Sequence, residues 1–196
     1  MPTTITRIQK TRLGRFSLYG EEGFLFSLDS ETYFSCGVEE GDTLTDNDLA
    51  ALREKSDARK AKDKALQYLF LRLYGERELY DKLCLKFDGP TSAAAVAEMV
   101  RLEMLDDARF AAQKAAWLKT RHKSRREAQR QLAEKGVDRD LIDEALDEVY
   151  GDGDEREEID RLIRRSYAAK LENGKRDAVY AALCRRGFAP RTVREA

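Results

Sequence analysis

Cysteine, histidine and tryptophan are scarce in this chain of 196 residues, which contains three, one and one of them. Cys36, Cys84 and Cys184 are odd in number and far apart, and no CxxC pair occurs, so the sequence predicts neither a disulfide framework nor a zinc site. Since His122 is the only histidine, a metal site built from several imidazoles is excluded. We therefore expect a reducing compartment, no metal and no bound cofactor.

Long apolar runs are absent as well. No stretch approaches the roughly 20 apolar residues that a membrane-spanning helix needs, and the first residues lack the apolar run of a signal peptide. A phosphate-binding loop of the GxxxxGKS or GxxxxGKT kind is missing. GDGD at 151–154 fails as a calcium loop, because position twelve counted from Asp152 is Ile163 rather than glutamate. These absences predict a soluble, cytoplasmic protein that does not bind membranes.

Candidates for catalysis are few. His122 lies between Arg121 and Lys123, whose positive charges disfavour the imidazolium that a general base would form. Asp106 and Asp107 could act as an acid and a base, but two acidic residues at the start of a helical segment are more simply explained as helix caps. We therefore assign no catalytic residue and expect no enzymatic activity.

Charge is abundant but balanced, with 36 Lys and Arg against 37 Asp and Glu and a net charge of -1. A uniformly basic coat for nucleic acid is therefore excluded. The two parts of the chain differ, because residues 1–57 hold six basic and eleven acidic side chains, whereas residues 58–196 hold thirty and twenty-six. An anionic partner should be sought in the second part.

The first part of the chain has strand character. In FSLYGEEGFLFSL, residues 16–28, apolar side chains occupy every second position on both sides of GEEG, which is typical of a β-hairpin. TYFSCGVEEGD, residues 32–42, predicts another short strand and turn. Thr45 precedes acidic residues and should cap a helix. We interpret residues 1–57 as a small β-rich module that ends in a helix and packs against the rest.

Helical periodicity begins after Asp57. One predicted buried face consists of apolar residues at three- and four-residue spacings: Ala65, Leu66, Leu69, Phe70 and Leu73. The same periodicity continues to the C-terminus. Three aromatic residues, Tyr68, Phe110 and Trp117, lie on apolar helix faces, and we expect them in the core rather than stacked on nucleic-acid bases.

An internal repeat appears in the helical part, where Leu83, Leu132 and Leu183 occupy equivalent positions 49 and 51 residues apart. In the second and third copies Gly136 and Gly187 follow four positions later, each before an apolar residue. This order predicts a left-handed helix C-cap with the apolar residue packed back on the last turn. Each repeat of about 50 residues should contain three helices.

The predicted fold is therefore mainly α-helical. It is an elongated, curved tandem array of three three-helix repeats, preceded by a small N-terminal β-hairpin module. The predicted repeats are residues 58–106, 107–151 and 152–196, with GDGD between the last two.

Basic residues concentrate between positions 114 and 130, where seven Lys and Arg side chains are accompanied by one acid, Glu127. Such a run is either a solvated helix face or an anion-binding strip, and the sequence leaves both interpretations open. Basic pairs recur in the third repeat. The candidate residues for binding an anionic partner are Lys119, Arg121, Lys123, Arg125, Arg126, Arg130, Lys175, Arg176, Arg185 and Arg186.

Three spaced signatures together resemble the RecX family of bacterial recombination regulators: LDDARFA at 105–111, REAQRQLAEKGV at 126–137 and LCRRGF at 183–188. The resemblance covers roughly residues 58–196, and the N-terminal segment looks like the β extension of some members. The first repeat departs from the pattern, with CLKFDGP where a Lys-Gly cap is usual. Signature residues that we expect to hold the repeats together are Asp106, Asp107, Phe110, Leu132, Gly136, Leu183, Gly187 and Phe188.

This resemblance implies three tandem three-helix units and a function in recombination control. Such proteins bind the RecA filament on single-stranded DNA, lie along its groove and inhibit ATP hydrolysis, strand exchange and coprotease activity in DNA repair and the SOS response. The implied partners are RecA and single-stranded DNA, contacted directly or through RecA, and we expect a monomer. The alternative is a stand-alone helical nucleic-acid-binding protein that acts through its basic strips. A hydrolase has little support, because no convergent titratable groups were found.

Overall fold

The computed structural model describes residues 2–151 and 155–196, so most of the GDGD segment lies outside the described residues. Within them, the fold is mainly α-helical with short N-terminal antiparallel strands, as predicted. The strands are β1 (Thr3–Thr4), β2 (Arg7–Lys10), β3 (Phe16–Gly20), β4 (Gly23–Leu28) and β5 (Thr43–Leu44). The helices are α1 (Ser30–Cys36), α2 (Asp46–Leu71), α3 (Glu76–Cys84), α4 (Gly89–Arg101), α5 (Asp107–Thr120), α6 (Arg125–Glu134), α7 (Arg139–Tyr150), α8 (Glu155–Ser166), α9 (Ala168–Glu172), α10 (Arg176–Arg185) and α11 (Pro190–Glu195).

The chain packs as two compact units. The N-terminal unit comprises Met1–Arg72 and Leu79–Met104, and the C-terminal unit comprises Leu73–Glu78 and Leu105–Ala196. The predicted boundary between residues 57 and 58 falls inside α2, which continues through it as one helix of 26 residues. The β-rich module and the first predicted repeat therefore share a helix, and the division into three repeats stays a prediction.

The predicted hairpin is confirmed in the N-terminal unit, where β3 pairs antiparallel with β4 and β2 adds a third strand. The core of this unit contains Leu18 and Phe26, which are cross-strand partners, and Leu28. Phe24 lies outside the core and is 60% exposed. A register shift between Leu18 and Tyr19 pairs Phe24 with Tyr19, so the strict alternation expected along the strand is broken at its start.

The prediction of a strand in TYFSCGVEEGD is wrong for the first half of this segment, which forms part of α1 instead. Asp29 begins this helix by accepting a hydrogen bond from the Thr32 amide at 3.0 Å, and Gly37 ends it in a left-handed conformation. These two caps outweigh the β-preference of the Thr, Tyr and Phe side chains. The cap predicted at Thr45 is confirmed, since its hydroxyl and the Asp48 carboxylate form a reciprocal capping box at the start of α2.

The buried face of α2 is narrower than predicted. Ala61 and Ala65 are fully buried, and α2 packs against α4, which small side chains allow at close range. Phe70 is 91% exposed, so its predicted place in the core is wrong. At 100° per residue it lies about 140° around the helix from Ala65. Tyr68 is half-buried, and the ammonium groups of Lys64 and Lys82 lie 5.0 and 5.7 Å from its ring centroid.

The C-terminal unit contains two apolar clusters. Helices α5, α6 and α7 pack on one another around the first, and α8 to α11 surround the second. Buried members of the first cluster are Phe110, Ala111, Ala115, Leu118, Ala128, Leu132, Val137, Ile142, Ala145 and Leu146. Buried members of the second are Ile159, Leu162, Tyr167, Val179, Leu183, Phe188 and Val193.

Helices α6 and α10 end in turns of the same type, as the sequence predicted. Gly136 and Gly187 follow them with positive φ angles of 76° and 94°, and the apolar residue after each glycine is buried. Each turn lies against the first turn of another helix of the same unit. A Cβ on Gly136 would lie 2.6 Å from the Cβ of Arg77, and one on Gly187 would lie 2.3 Å from the Cβ of Glu127.

Candidate anion-binding surface

The turn between α5 and α6 positions the basic residues of the central run. His122 adopts a left-handed conformation with φ of 53°. The Lys123 amide then donates to the Leu118 carbonyl at 3.0 Å. Ser124 begins α6 by accepting a hydrogen bond from the Glu127 amide at 3.2 Å. Because the chain reverses within so few residues, Arg121 and Lys123, which flank His122, line the same depression.

Two cations of the predicted strip are neutralised by carboxylates. Arg125 forms an ion pair with Asp147 of α7. Arg130 pairs along α6 with Glu127, at 2.8 Å, and with Glu134. Carboxylates of the fold therefore partly neutralise their positive charges, and these two residues contribute less to an anion-binding surface than the sequence suggested.

The Arg130 guanidinium, which bonds Glu127, together with the Gln131 amide lowers the pKa of Glu127 from its usual 4.5 to about 2. The ionised carboxylate is thus favoured in the folded state, so its stabilising effect is complete above pH 4.5 and is lost as the pH falls towards 2. We expect Glu127→Gln to lose stability at neutral pH, by about 1 kcal/mol or less, and to depend less on pH in this window. Urea denaturation followed by Trp117 fluorescence at several pH values measures the free energy of unfolding and its dependence on pH.

A matched control is Glu144→Gln, which changes an exposed glutamate of α7. It should keep the pH dependence of the unmodified protein. If Glu127→Gln and Glu144→Gln gave the same stability profile between pH 4.5 and 2, the Glu127 carboxylate would not stabilise the fold in the way described.

Other cations donate to neutral backbone carbonyls and so keep their full charge. Lys119 donates to a carbonyl at the end of α7. The Lys123 ammonium donates to the Arg185 carbonyl at 3.1 Å, and the Arg186 guanidinium donates to the Arg121 carbonyl at 2.9 Å. A lysine has three N–H donors and an arginine five, so each retains donors for an external anion. These bonds orient the positive charges without neutralising them.

The remaining candidates have side chains without a hydrogen bond or ion pair to any described residue: Arg121, Arg126, Lys175, Arg176 and Arg185. All five are exposed. Unpaired, exposed cations are the ones whose charge is most available to a partner.

The structure brings four basic residues together around one open depression of about 600 Å³. Arg121 and Lys123 come from the turn between α5 and α6, and Arg185 and Arg186 come from the end of α10. Trp117 lies on the same rim. None of the described residues that line this depression is acidic. We call it the basic depression, and its chemistry is that of a site for an anion.

The other candidates lie elsewhere. Arg125 and Arg126 line a second depression, of about 390 Å³, together with Lys119. Its lining also includes Glu157 and Glu158, so its charge is mixed. The predicted continuous basic strip is therefore divided into one depression lined by cations without acids and one in which both signs occur.

Lys175 and Arg176 do not join the basic depression. They lie at the start of α10, whereas Arg185 is its last residue. At 1.5 Å per residue the two ends of this helix are about 14 Å apart. Arg185 and Arg186 at the end of α10 therefore line the basic depression, whereas Lys175 and Arg176 at its start do not.

Trp117 is 49% exposed, so the prediction that it belongs to the core is wrong. Helix α5 buries Phe110, Ala111, Ala115 and Leu118 instead. Because the alanines are small, the backbone of α5 packs closely on α7, and Trp117 is not among the side chains of the apolar cluster between these helices. The two alanines among the apolar residues were the signal that could have revealed this arrangement.

The signature residues occupy structural positions in the C-terminal unit. Buried side chains among them are Phe110, Leu132, Leu183 and Phe188. Asp106 caps α5 by accepting a hydrogen bond from the Arg109 amide at 2.9 Å. Asp107 accepts one from the Glu76 amide at 2.8 Å and so caps the start of α3, which the sequence did not predict. Burial raises the pKa of Asp107, and burial together with the Asp107 charge raises that of Glu76.

No group of three or more His, Cys, Asp and Glu side chains that could hold a metal ion occurs among the described residues. Among the same residues, none of the helices combines the length and the apolar composition that a membrane crossing requires. What the described surface can do chemically is bind anions through fixed positive charges.

Comparison with known proteins shows similarity to proteins named RecX. A family model described as RecX, second three-helix domain, matches residues 106–146, which span most of α5 to α7. The regulatory protein RecX of Caldanaerobacter subterraneus subsp. tengcongensis is 26% identical over 163 residues, covering 82% of this chain and 83% of that protein. The regulatory protein RecX of Listeria innocua is 27% identical over 78% of this chain, which spans 57% of that relative's length.

A crystal structure of regulatory protein RecX has a similar fold, with a TM-score of 0.63 over 99% of this chain and 100% of that one. The identity between the two sequences is 19%, so this similarity concerns the fold alone.

Proposed function

Because this chain belongs to the RecX family of regulatory proteins, we propose that it regulates the RecA recombinase by binding the RecA filament on single-stranded DNA. Bound in the filament groove, it inhibits ATP hydrolysis, strand exchange and coprotease activity, and so limits recombination and the SOS response. The observation that carries this proposal is the basic depression of the C-terminal unit, which is lined in part by the segment that matches the family. The proposal places the protein in the cytoplasm as a monomer.

The proposed mechanism is physical blocking and needs no catalytic residue. A protein that contacts neighbouring RecA protomers resists the rearrangement that each ATP cycle imposes on the filament. Occupation of the groove also excludes duplex DNA and repressor substrates. The cations of the basic depression supply attraction to the DNA phosphates or to acidic side chains of RecA, because none of the four forms an ion pair with a carboxylate of the described residues.

The experiment is a titration of DNA-dependent ATP hydrolysis by RecA from the same cell with this protein, at two salt concentrations. We expect inhibition at protein concentrations well below that of RecA, since one molecule that bridges protomers affects more than one of them. Absence of inhibition, with the protein folded and RecA active, would contradict the proposal.

The second candidate function is RecA-independent binding of nucleic acid, which is favoured by the unpaired cations and the exposed Trp117. A protein that acts only through phosphate contacts loses affinity for DNA steeply as salt rises and needs no RecA. Strong DNA binding without any effect on RecA would favour this second function.

A further inference from the structure

Trp117 is the only tryptophan in the chain, and its indole is 49% exposed on the rim of the basic depression. Burial of a large aromatic side chain is among the most stabilising contributions that one residue can make. A half-exposed indole therefore retains apolar surface that a partner could cover. The fold of α5 does not require tryptophan at this position, because the helix is anchored by Phe110, Leu118 and two alanines.

Cations flank this ring. The Lys114 ammonium lies 4.5 Å from the ring centroid, and the Arg121 guanidinium carbon lies 5.3 Å from it. Neither side chain has another hydrogen-bonding or ionic partner among the described residues. A cation above an exposed ring contributes less than a nucleobase stacked on the same ring. A base can therefore displace either cation, which is then free to contact the adjacent phosphate.

The charge around the ring points to one class of ligand. Lys123, Arg185 and Arg186 line the depression with Trp117, and the described lining residues include no acid. A polyanion with flat, unstacked aromatic groups meets both requirements, and single-stranded nucleic acid is such a ligand. In duplex DNA the bases are paired and stacked on one another. An acidic protein surface would meet the cations but carries flat aromatic groups only at scattered positions, whereas every nucleotide carries one beside its phosphate.

We propose that Trp117 and the basic depression form a base-stacking site for single-stranded DNA, in which the indole holds a base and the cations hold the flanking phosphates. The site deepens the proposed function and rests on it for its biological role, because it assigns one surface of this protein to the DNA inside the filament. The binding itself needs no RecA.

The test uses the intact protein and the emission of its single tryptophan. An oligothymidylate of about 15 nucleotides is compared with an abasic oligonucleotide of the same length and charge, without RecA. We expect the oligothymidylate to quench Trp117 emission and to bind about fivefold or more tightly than the abasic strand. Equal affinity for the two strands, or binding without quenching, would overturn the proposal.

Two substitutions separate stacking from fold effects. Trp117→Leu removes the flat ring, whereas Trp117→Phe keeps one, and anisotropy of a labelled oligonucleotide measures the binding of each. We expect the leucine variant to lose the preference for the strand that carries bases and the phenylalanine variant to retain part of it. If both variants bound both strands as the unmodified protein does, Trp117 would not contact bases.

The outcome is distinguishable from that of the RecA titration. Stacking without inhibition of ATP hydrolysis would contradict the proposed function and leave the site intact. Inhibition by a protein whose Trp117 emission does not respond to single-stranded DNA would support the regulatory function and overturn this site.

Discussion

Gly187→Ala is expected to destabilise the C-terminal unit by about 2–5 kcal/mol. The left-handed conformation at this residue, with φ of 94°, costs a side-chain-bearing residue about 1–2 kcal/mol. The new methyl group would also lie 2.3 Å from the Cβ of Glu127 and 2.6 Å from the Ser124 hydroxyl, and relief of such overpacking typically costs about 1–3 kcal/mol more. Urea denaturation followed by Trp117 emission reports on this unit directly.

The matched control is Gly174→Ala. Gly174 has a similar positive φ of 71°, but nothing lies within 4 Å of the position its Cβ would take. This variant should be destabilised only by the cost of the left-handed conformation, about 1–2 kcal/mol. Equal losses in the two variants would show that the contact between the end of α10 and the start of α6 does not stabilise the unit.

Hydrogen exchange shows which part of the unit Gly187→Ala disturbs. The Ser124 amide donates to the Arg186 carbonyl at 2.9 Å, which joins the start of α6 to the end of α10. In Gly187→Ala the two segments must separate, so hydrogen exchange at Ser124 should become faster, while Gly174→Ala should leave it unchanged. This hydrogen bond also orients the turn that carries Arg121 and Lys123, so the same substitution should disturb the basic depression.

The sequence predicted the local part of this arrangement and missed the distant part. A glycine after a basic helix end and before an apolar residue was sufficient to predict the left-handed caps at Gly136 and Gly187. Their close approach to Arg77 and to Glu127 was not predictable, because each contact joins positions about 60 residues apart and leaves no periodic signal. The capping aspartate at 29 was visible in the sequence, but the β-preference of the following residues obscured it.

For the candidate site too, the sequence predicted what depends on neighbouring residues and missed what depends on helix packing. Composition correctly located a basic segment, but it could not distinguish Arg125, which pairs with Asp147, from Arg121, which is unpaired among the described residues. Pairing of this kind depends on which helix packs alongside. Trp117 was misplaced for a related reason, since helical periodicity gives the direction of a face but not its width.

The largest functional effect is expected from Arg121→Glu combined with Arg185→Glu. Both side chains are exposed, line the basic depression and make no hydrogen bond or ion pair with the described residues, so their reversal should leave the fold intact. Lys123 and Arg186 are left unchanged because their side chains bond to backbone carbonyls of the unit. We expect half-inhibition of RecA ATP hydrolysis to require about tenfold more protein or greater.

The control reverses two cations outside both depressions, Arg164→Glu with Arg165→Glu. These side chains are also exposed and make no hydrogen bond or ion pair with the described residues, and their reversal changes the net charge by the same amount. Long-range repulsion from the DNA should therefore be similar in the two double variants, whereas the contacts of the basic depression are lost only in the first. If both double variants inhibited RecA equally well, general charge rather than this depression would govern binding. If only the reversal at Arg121 and Arg185 weakened inhibition, the surface built by the end of α10 and the turn after α5 would be the one that meets the filament.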